Sequence, residues 1–562
     1  MLLPLLLIFL ATFVTATIPT LCFAILLKRS DRLPTHAICI ASLAMFSATA
    51  YLTFWAFFAG KWAGLILLAG IYPTAMYCLF KGKTHLKSLL TTDHNFVLPL
   101  LLMLFIGSAY IGVLCLFSPP NKGQTLDLSA HRFNDLPVDN VLPVIFADCL
   151  ENGKRPKHLF GEERNDWLGS DRPPLQTGVI LMIRPLLHFS KLGVSYTGFT
   201  ASLWFQLFWI PAVWSLLRGF GASTKQSVAV IAITACTGFA LLYSLYTWPK
   251  FGAAALLLGG ISILLAGRSP HSTFRWTFVA VMLALAHLSH GGSDFGLLGL
   301  LIILFVPTLR PSLKEAVLTL IVFVAVSTPW MAYQKFYDPP GNRLLKMHLA
   351  GVNDVDNRGF LETLIDQYRA VGWSGAWQNK RANFSRLIEG DLKQIFSFDS
   401  DRVAARTRRD EEFFFFSRAM GFGNFAIALL PVAIFCFVRR ANDAHIMAPK
   451  LLIGLGWAAL TLVIWCLLMF APGSSVLHQG SLAPILFVFS IAMFLTARCS
   501  RLIFWGISAL QLISFIATWI PANPSVQNAL DPVACALIIL CMGALAWIAT
   551  VVHDIPLNSY TK

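Results

Sequence analysis

Runs of about 20 apolar residues recur from one end of the sequence to the other, and no other feature constrains the fold as strongly. An apolar run of that length crosses the roughly 30 Å hydrocarbon core of a bilayer as one helix. Lipid offers no hydrogen-bond partners, so each segment must pair its own backbone groups, as a helix does. The strand-period alternation typical of a barrel is missing from the sequence. We therefore predict an all-α polytopic membrane protein.

The composition excludes a soluble globular protein. Hydrophobic residues make up 56% of the 562 residues and charged residues only 13%, whereas a typical soluble domain carries about 25% charged residues. The mean hydropathy of +0.67 agrees with this conclusion. The formal net charge of +15 fits basic residues at the ends of spans and their attraction to anionic lipid, so it does not indicate a nucleic-acid partner.

The predicted spans number about fifteen, and a range of about 13–15 allows for the short segments between 277 and 309. They lie at approximately 2–27, 36–60, 62–80, 96–117, 199–217, 226–247, 251–267, 277–289, 295–309, 315–333, 420–438, 451–470, 482–497, 502–520 and 532–552.

Lys and Arg are concentrated in alternate connections between the spans, and this bias predicts the orientation. One set of connections holds Lys28, Arg29, Arg32, Lys81, Lys83, Lys87, Arg218, Lys225, Arg268, Arg275, Arg310, Lys314, Arg439, Arg440, Lys450, Arg498 and Arg501. The other short connections hold only Lys61 and Lys250. Because basic loops stay in the cytoplasm, we expect the amino terminus outside and the tail His553–Lys562 inside. The first span lacks the basic start and cleavage site of a signal peptide, so we interpret it as a helix.

Two long polar stretches, residues 118–198 and 334–419, interrupt the apolar pattern on the predicted outer face. Loops of such length in compact proteins are usually functional. In the first, Asp139-Asn140 precedes an apolar segment at helical spacing, Val141–Leu150. Further on, Arg172-Pro173-Pro174-Leu175 leads into the apolar segment Val179–Phe189. Paired prolines mark the entry to a helix. This one is too short to span, so we expect an interfacial or re-entrant helix.

These motifs resemble the GT-C glycosyltransferases, in particular the protein O-mannosyltransferases and the lipid A aminoarabinose transferases. In that family an acidic pair follows the first core helix and an x-Pro-Pro-Leu element follows later in the same loop. Asp139-Asn140 and Arg172-Pro173-Pro174-Leu175 stand in those places. Leu283–Gly296 resembles the family's later helix pair, and Thr328-Pro329-Trp330 resembles the Pro-Trp that closes a helix. The sequence departs from the family in two respects: three additional helices precede the core, and Asn140 replaces the second acid of the pair.

The resemblance implies a GT-C-like bundle whose core is formed by residues 96–350, including outer loop 118–198. Three N-terminal helices in 1–95 precede this core. A second outer loop in 334–419 with membrane-surface helices and the C-terminal helices in 420–562 follow it. The resemblance also implies the transfer of a sugar from a polyprenyl-phosphate-linked donor to a lipid, glycan or protein acceptor. The reaction would take place at the outer, periplasmic face of a bacterial inner membrane. No cofactor is certain from the motifs, and a divalent metal ion stays an open alternative.

Sugar transfer requires a carboxylate that takes the proton of the acceptor hydroxyl. Asp139 is the catalytic candidate because it matches the family's acidic pair. Asp135 is the rival, since it lies four residues earlier and shares a face with Asp139 if the segment is helical. The structural alternatives are a helix cap for Asp139 and a solvated loop acid for Asp135. Because Asn caps a helix about as well as Asp, we expect Asp139→Asn to remove transfer and leave stability almost unchanged.

The departing phosphate of such a donor needs cations to neutralise it. Each basic candidate also has a structural alternative to phosphate binding. Arg172 could pair with Asp171 or Glu163, and Lys250 could snorkel at the membrane interface. The basic segment that follows the turn Pro339-Pro340-Gly341 could make ordinary contact with lipid headgroups. The candidates for the donor phosphate and substrate are Asn140, Asp171, Arg172, Lys250, His290, Asp294, Arg343 and Lys346.

The segment His287–Asp294 is a polar island inside an apolar stretch. Polar groups at such depth are functional candidates because burying them in lipid is unfavourable unless they are paired or face water. The short spacing of His290 and Asp294 would permit a metal site, although two ligands are too few to define one. A satisfied structural turn is the alternative.

The alternative function is a transporter or flippase of a lipid-linked saccharide. Transporters carry ionisable residues near the middle of the membrane and broken helices at repeated positions in two halves. The sequence shows no inverted repeat, and its polar residues gather on one face. A purely structural membrane subunit fits poorly with two long polar loops. The pattern favours catalysis at the outer face.

Overall fold

The structure is a computed structural model of the chain. It describes residues 2–116, 138–157, 159, 168–187, 194–266, 272–307, 309–354, 357–389, 418–440, 444–472, 478–519 and 531–551. Throughout these ranges the chain is predominantly helical, which confirms the predicted all-α class. Asp135 lies outside the described residues.

The α-helices follow one another along the chain. They are α1 (Leu2–Ser30), α2 (Ile38–Ala59), α3 (Lys61–Lys81), α4 (Lys83–Thr92), α5 (His94–Cys115), α6 (Leu142–Glu151), α7 (Leu175–Leu187), α8 (Val194–Gln206), α9 (Trp209–Gly219), α10 (Thr224–Ala235), α11 (Gly238–Leu245), α12 (Lys250–Ala266), α13 (Thr273–Ser289), α14 (Asp294–Gly299), α15 (Leu313–Ala332), α16 (Arg343–Ala350), α17 (Phe360–Ile388), α18 (Asn424–Ala428), α19 (Leu430–Arg440), α20 (Ala444–Leu468), α21 (His478–Cys499), α22 (Arg501–Trp519) and α23 (Pro532–Val551).

Ten helices in the described ranges are long and apolar enough to cross a membrane, or up to twelve if each of two bent pairs forms one span. Every predicted span coincides with a helix or a helix pair. Three of the fifteen predicted spans fall on shorter apolar helices, namely α12 and α13 with 17 residues each and the segment Gly291–Phe305, so the described ranges support ten to twelve spans by length and not 13–15. At 1.5 Å per residue a helix of 17 residues rises about 26 Å, which is less than the hydrocarbon core. The apolar helices identify an integral membrane protein.

Helix α12 lies inside the bundle, buried from Lys250 to Leu265, and packs against α9 and α13. Its glycines allow neighbouring helices to approach closely. A Cβ atom at Gly252 would lie 2.3 Å from the ring of Phe205, and one at Gly259 would lie 2.6 Å from the side chain of Ile40. Small residues at helix contacts permit this close packing in membrane proteins.

Helices α10 and α11 form one of the two bent pairs, with an angle of 72° between them. A break of this kind frees backbone carbonyls that lipid cannot pair. Here Tyr110 Oη donates to the carbonyl of Ala235 at 2.8 Å, and Gln511 Nε2 donates to that of Cys236 at 2.8 Å. Gln511 Oε1 also accepts from the Phe422 amide at 2.8 Å, at the start of the second bent pair. One buried glutamine thus joins the two bent pairs.

The two short helices predicted for the first loop are confirmed as α6 and α7. Helix α7 is buried from Leu175 to Arg184 and packs against α2, α6 and α8, so it lies inside the protein and not on its surface. Arg184 is fully buried and pairs with Glu151 at 3.0 Å and with Asp148 at 2.6 Å. These ion pairs fix α7 to α6.

Candidate functional site

Asp139 lies in a 3-10 turn, Val138–Val141, directly before α6. Its Oδ2 forms a buried ion pair with Arg172 Nη2. Its Oδ1 accepts a hydrogen bond of 2.7 Å from Trp248 Nε1. The exposed fractions of Asp139 and Arg172 are 6% and 4%. Two residues from the motifs of the first loop therefore meet, and an aromatic residue from a later turn completes their contact. We call Asp139, Arg172 and Trp248 the central cluster.

The structure does not support the helix-cap alternative for Asp139. The residue that caps α6 is Val141, and no side chain caps the first turn of that helix among the residues described there. The carboxylate instead faces Arg172 and Trp248. Asp139 is thus committed to a tertiary contact, and its charge matters for folding as well as for chemistry.

Asn140, the neighbour of Asp139, also points to the turn that carries Trp248. Its Nδ2 donates to the carbonyl of Tyr246 at 2.9 Å. An aspartate at this position could not donate this bond when ionised, because an ionised carboxylate only accepts. Asn140 therefore holds the 3-10 turn against the turn Tyr246–Lys250.

A buried pair of glutamines supports the same turn from inside the bundle. Thr247 has a φ of 58°, in the left-handed region that residues other than glycine rarely adopt. Gln176 Nε2 donates to the Thr247 carbonyl at 2.8 Å, and Gln206 Nε2 donates to Gln176 Oε1 at 3.1 Å. The Gly252 amide completes this series of hydrogen bonds by donating to Gln206 Oε1 at 2.9 Å. This network fixes the position of Trp248 and of the first turn of α12.

Lys250 begins α12 and lies next to the central cluster. Its Nζ is 3.5 Å from the centroid of the Trp248 ring, a short cation–π contact. The side chain is 5% exposed, so it is buried among protein groups and does not extend along the surface. The snorkelling alternative for Lys250 does not fit this burial.

Asp171 and Arg172 are neighbours in sequence but bind different partners. Asp171 Oδ2 accepts from Arg343 Nη1 at 2.7 Å and from the Leu168 amide at 3.0 Å. Burial raises the pKa of the Asp171 carboxyl, and the Arg343 guanidinium opposes that shift. Burial lowers the pKa of Arg172 to about 9, and nearby Arg343 adds to the lowering. Arg172 therefore stays charged at neutral pH, and its partner is Asp139 and not Asp171.

The start of the second loop packs against the first. Asp338 Oδ2 accepts from the Ser170 amide at 2.6 Å, and Gln334 Nε2 donates to the Ser170 carbonyl at 3.0 Å. Lys346 is fully buried, and its Nζ donates to the carbonyl of Arg358 at 2.5 Å. The contacts of Asp338 and Gln334, with the ion pair of Arg343, join the segments 168–172 and 334–343. The structure thus brings Arg343 close to the predicted site, but it directs Lys346 into the fold of its own loop.

The polar island lies where α13 ends. His287 Nδ1 and Asp294 Oδ1 are 2.8 Å apart, so Asp294 pairs with His287 and not with His290. His290 Nδ1 accepts from the Gly292 amide at 2.9 Å. Within the described residues no group of three or more His, Cys, Asp and Glu side chains lies close enough to hold a metal ion. The metal site that His290 and Asp294 would share therefore finds no support in this part of the chain.

Sequence reasoning did not identify Trp248, Gln176, Gln206 or Asp338 as parts of the site. Trp248 and its neighbours Pro249 and Lys250 form a polar and aromatic break between two apolar segments, and this break is a signal that could have located the turn. The two glutamines are single amides inside apolar helices. Such residues need a partner in lipid, but the sequence does not say which one.

Comparisons of the chain with protein-family models, with curated proteins and with solved structures found no match. The function must therefore be inferred from the chemistry of the central cluster itself.

Proposed function

We propose that the protein is a membrane glycosyltransferase that moves a sugar from a polyprenyl-phosphate-linked donor to an acceptor at the predicted outer, periplasmic face. The observation that carries this proposal is the buried contact of Asp139 with Arg172 and Trp248 at the ends of the helices. The central cluster pairs a carboxylate with the guanidinium of Arg172, and the amine of Lys250 lies beside it against Trp248. Burial lowers the pKa of Lys250 well below its usual value, and nearby Arg172 adds to the lowering. A base and cations are the groups that sugar transfer from a phosphate requires.

In the proposed reaction the acceptor hydroxyl attacks C1 of the donor sugar. The bond between C1 and the phosphate oxygen breaks, and its electron pair leaves with the phosphate. The hydroxyl proton passes to the Asp139 carboxylate. Arg172 neutralises the charge that develops on the phosphate, and the Lys250 amine donates a hydrogen bond to it. Both Asp139 oxygens hold donors in this structure, so the acceptor hydroxyl takes the place of one of them when it binds.

Reconstituted protein tests the proposal directly. The chain is placed in proteoliposomes with a panel of polyprenyl-phosphate sugars and with lipid, glycan and peptide acceptors, and the release of free polyprenyl phosphate is measured. We expect release with at least one donor and a loss of about 100-fold or more in Asp139→Asn, the usual range for removing a general base. Asp366→Asn is the matched control, since Asp366 lies on α17 in a loose 3.7 Å contact with Arg358. Equal release by wild type and Asp139→Asn would contradict the mechanism.

One observation favours the alternative, a flippase of lipid-linked saccharides. The two bent helix pairs, at 72° and 49°, are of the kind that transporters use to expose backbone carbonyls to substrates and ions. At the first break, however, the carbonyls of Ala235 and Cys236 already accept bonds from Tyr110 and Gln511. A flippase would move a fluorescent lipid-linked saccharide across the proteoliposome membrane in Asp139→Asn as fast as in wild type.

A further inference from the structure

The two carboxylate oxygens of Asp139 hold different kinds of donor. Oδ1 accepts from Trp248 Nε1 at 2.7 Å, and Oδ2 forms the buried ion pair with Arg172 Nη2. A carboxylate takes a proton only through an oxygen that the incoming hydroxyl can reach. One of the two donors must therefore withdraw before Asp139 acts as a base, and the surroundings of each donor indicate which one it is.

Trp248 is held in place by the turn that carries it. Asn140 Nδ2 donates to the carbonyl of Tyr246 at 2.9 Å, and the buried glutamines bond to the next carbonyl of the same turn. The Tyr246 ring stands edge-on to the indole, with the ring centroids 4.7 Å apart. The indole is 2% exposed and has a single N–H. Because Asn140 follows Asp139 in one 3-10 turn, the indole and the carboxylate are also fixed relative to each other.

Arg172 is the donor that can change its partner. Its guanidinium ends a flexible side chain, and the fork of N–H groups that fits a carboxylate also fits a phosphate. The neighbouring Asp171 does not compete for it, because Asp171 Oδ2 already accepts from Arg343 Nη1 at 2.7 Å. Leaving a buried guanidinium without a counter-charge is strongly unfavourable. Arg172 should therefore leave Asp139 only when another anion takes the place of the carboxylate.

We infer that the ion pair of Asp139 with Arg172 is an autoinhibitory contact, and that the phosphate of the lipid-linked donor releases it by binding Arg172. This inference rests on the proposed function, in which Asp139 is the base and Arg172 meets the phosphate. Release exposes Oδ2 to the acceptor hydroxyl, while Trp248 keeps Oδ1 and the orientation of the carboxylate. The donor must consequently bind before the acceptor is activated, and an uncharged lipid leaves the base covered.

The test measures how fast dicyclohexylcarbodiimide modifies Asp139 in the full wild-type chain in phosphatidylcholine nanodiscs, with mass spectrometry of the modified peptide as the readout. This apolar reagent reacts with buried carboxyl groups, and an ion pair with a guanidinium protects them. We expect saturating polyprenyl phosphate to raise the rate at Asp139 about 10-fold, which corresponds to a coupling of about 1.4 kcal/mol. Asp366 is the internal control, because its 3.7 Å contact is with Arg358, and its rate should not change.

Two further ligands show which part of polyprenyl phosphate acts. Polyprenol has the same hydrocarbon chain without the charge, so it should leave the rate at Asp139 unchanged. Inorganic phosphate lacks the chain that concentrates the lipid in the membrane, so at equal concentration it should act only weakly. An equal effect of polyprenol, or a rate that does not rise with polyprenyl phosphate, overturns the inference. An equal effect of inorganic phosphate overturns the lipid as the releasing ligand.

Variants at position 172 test the contact from its other side. Arg172→Gln should make Asp139 react fast with or without polyprenyl phosphate, and a rate as slow as that of wild type would contradict the autoinhibitory contact. Since the loss of one partner of a buried ion pair is destabilising, Arg172→Lys serves as the second variant. It keeps the charge and should keep both the slow rate and its rise with polyprenyl phosphate.

The proposed function fails separately from this inference. If no sugar is transferred in the release assay while polyprenyl phosphate still exposes Asp139, the autoinhibitory contact stands and the transferase does not. If sugar is transferred while polyprenyl phosphate leaves the rate at Asp139 unchanged, the transferase stands and the autoinhibitory contact is excluded.

Discussion

The substitution Asp139→Asn measures how strongly the central cluster depends on charge. Asn keeps an oxygen that can accept from Trp248 Nε1, so the 2.7 Å bond can persist. It loses the negative charge that faces Arg172, whose side chain is 4% exposed. Removing one partner of a buried ion pair destabilises a protein by about 3–5 kcal/mol. We therefore expect a loss of that order, which replaces the expectation from the sequence that stability hardly changes.

The second variant is Arg172→Gln, which leaves the Asp139 charge with Trp248 as its neutral donor. We expect a similar loss for this variant alone. The double variant should lose less than the sum, with a coupling of about 0.5–3 kcal/mol, because Asn and Gln are both neutral and can bond to each other. Free energies of unfolding from SDS titrations in mixed micelles measure all three variants. Two small losses that simply add would refute the description of a buried, coupled pair.

Sugar transfer should behave differently from stability in the same three variants. Asp139→Asn and the double variant both lack the base, so release of polyprenyl phosphate should be lost in both, whatever stability is recovered. A double variant that regains stability and transfer together would show that Asp139 acts only in folding. The two measurements thus separate a structural role of the pair from a chemical one.

Three further predictions concern other parts of the molecule. A reporter that is active only in the cytoplasm should be active when fused after Lys562, and activity at that position of a reporter that works only outside the cytoplasm would reverse the predicted orientation. Gln511→Leu should lower the free energy of unfolding by about 2–3 kcal/mol because two buried hydrogen bonds at the bent helix pairs are lost, whereas the exposed Gln378→Leu should have little effect. Burial lowers the pKa of Lys380 to about 8, below the roughly 10.4 of an unfolded lysine. Between these values the unfolded chain binds more protons, so the stability of wild type relative to Lys380→Met should rise as the pH increases from about 8 to 10. A pH-independent difference in thermal unfolding between the two would contradict the described burial.

The helices could be predicted from the sequence because an apolar segment in lipid has little choice of backbone structure. The segment predicted at 226–247 shows the limit of that reasoning. Its hydropathy is continuous, yet the chain turns by 72° between Ala235 and Gly238. The break is stable because Tyr110 and Gln511, distant in sequence, pair the carbonyls it exposes. Hydropathy records the affinity of a segment for lipid and not the partners of its backbone.

The candidate site was predictable in part for a similar reason. Asp139 and Arg172 were identified from the motifs of the first loop, but the sequence suggested Asp171 or Glu163 as the partner of Arg172. Proximity in sequence favoured those acids, whereas the fold of α6 and α7 brings Asp139 to Arg172. Trp248 joins them from a turn whose left-handed Thr247 depends on buried glutamines. Contacts over such distances follow from tertiary packing and are not encoded in local patterns.

The two neighbouring ion pairs of Asp171 and Arg172 have a consequence for how the sequence can change over evolution. Asp171 is paired with Arg343, and Arg172 with Asp139, in buried surroundings. A neutral residue at any one of the four positions leaves an opposite charge without its counter-charge, which is strongly unfavourable. Related sequences should therefore keep each pair or replace both of its members together. Positions 139 and 172 should vary together, and positions 171 and 343 should vary together. The two pairs should vary independently of each other, although Asp171 and Arg172 are adjacent in the sequence.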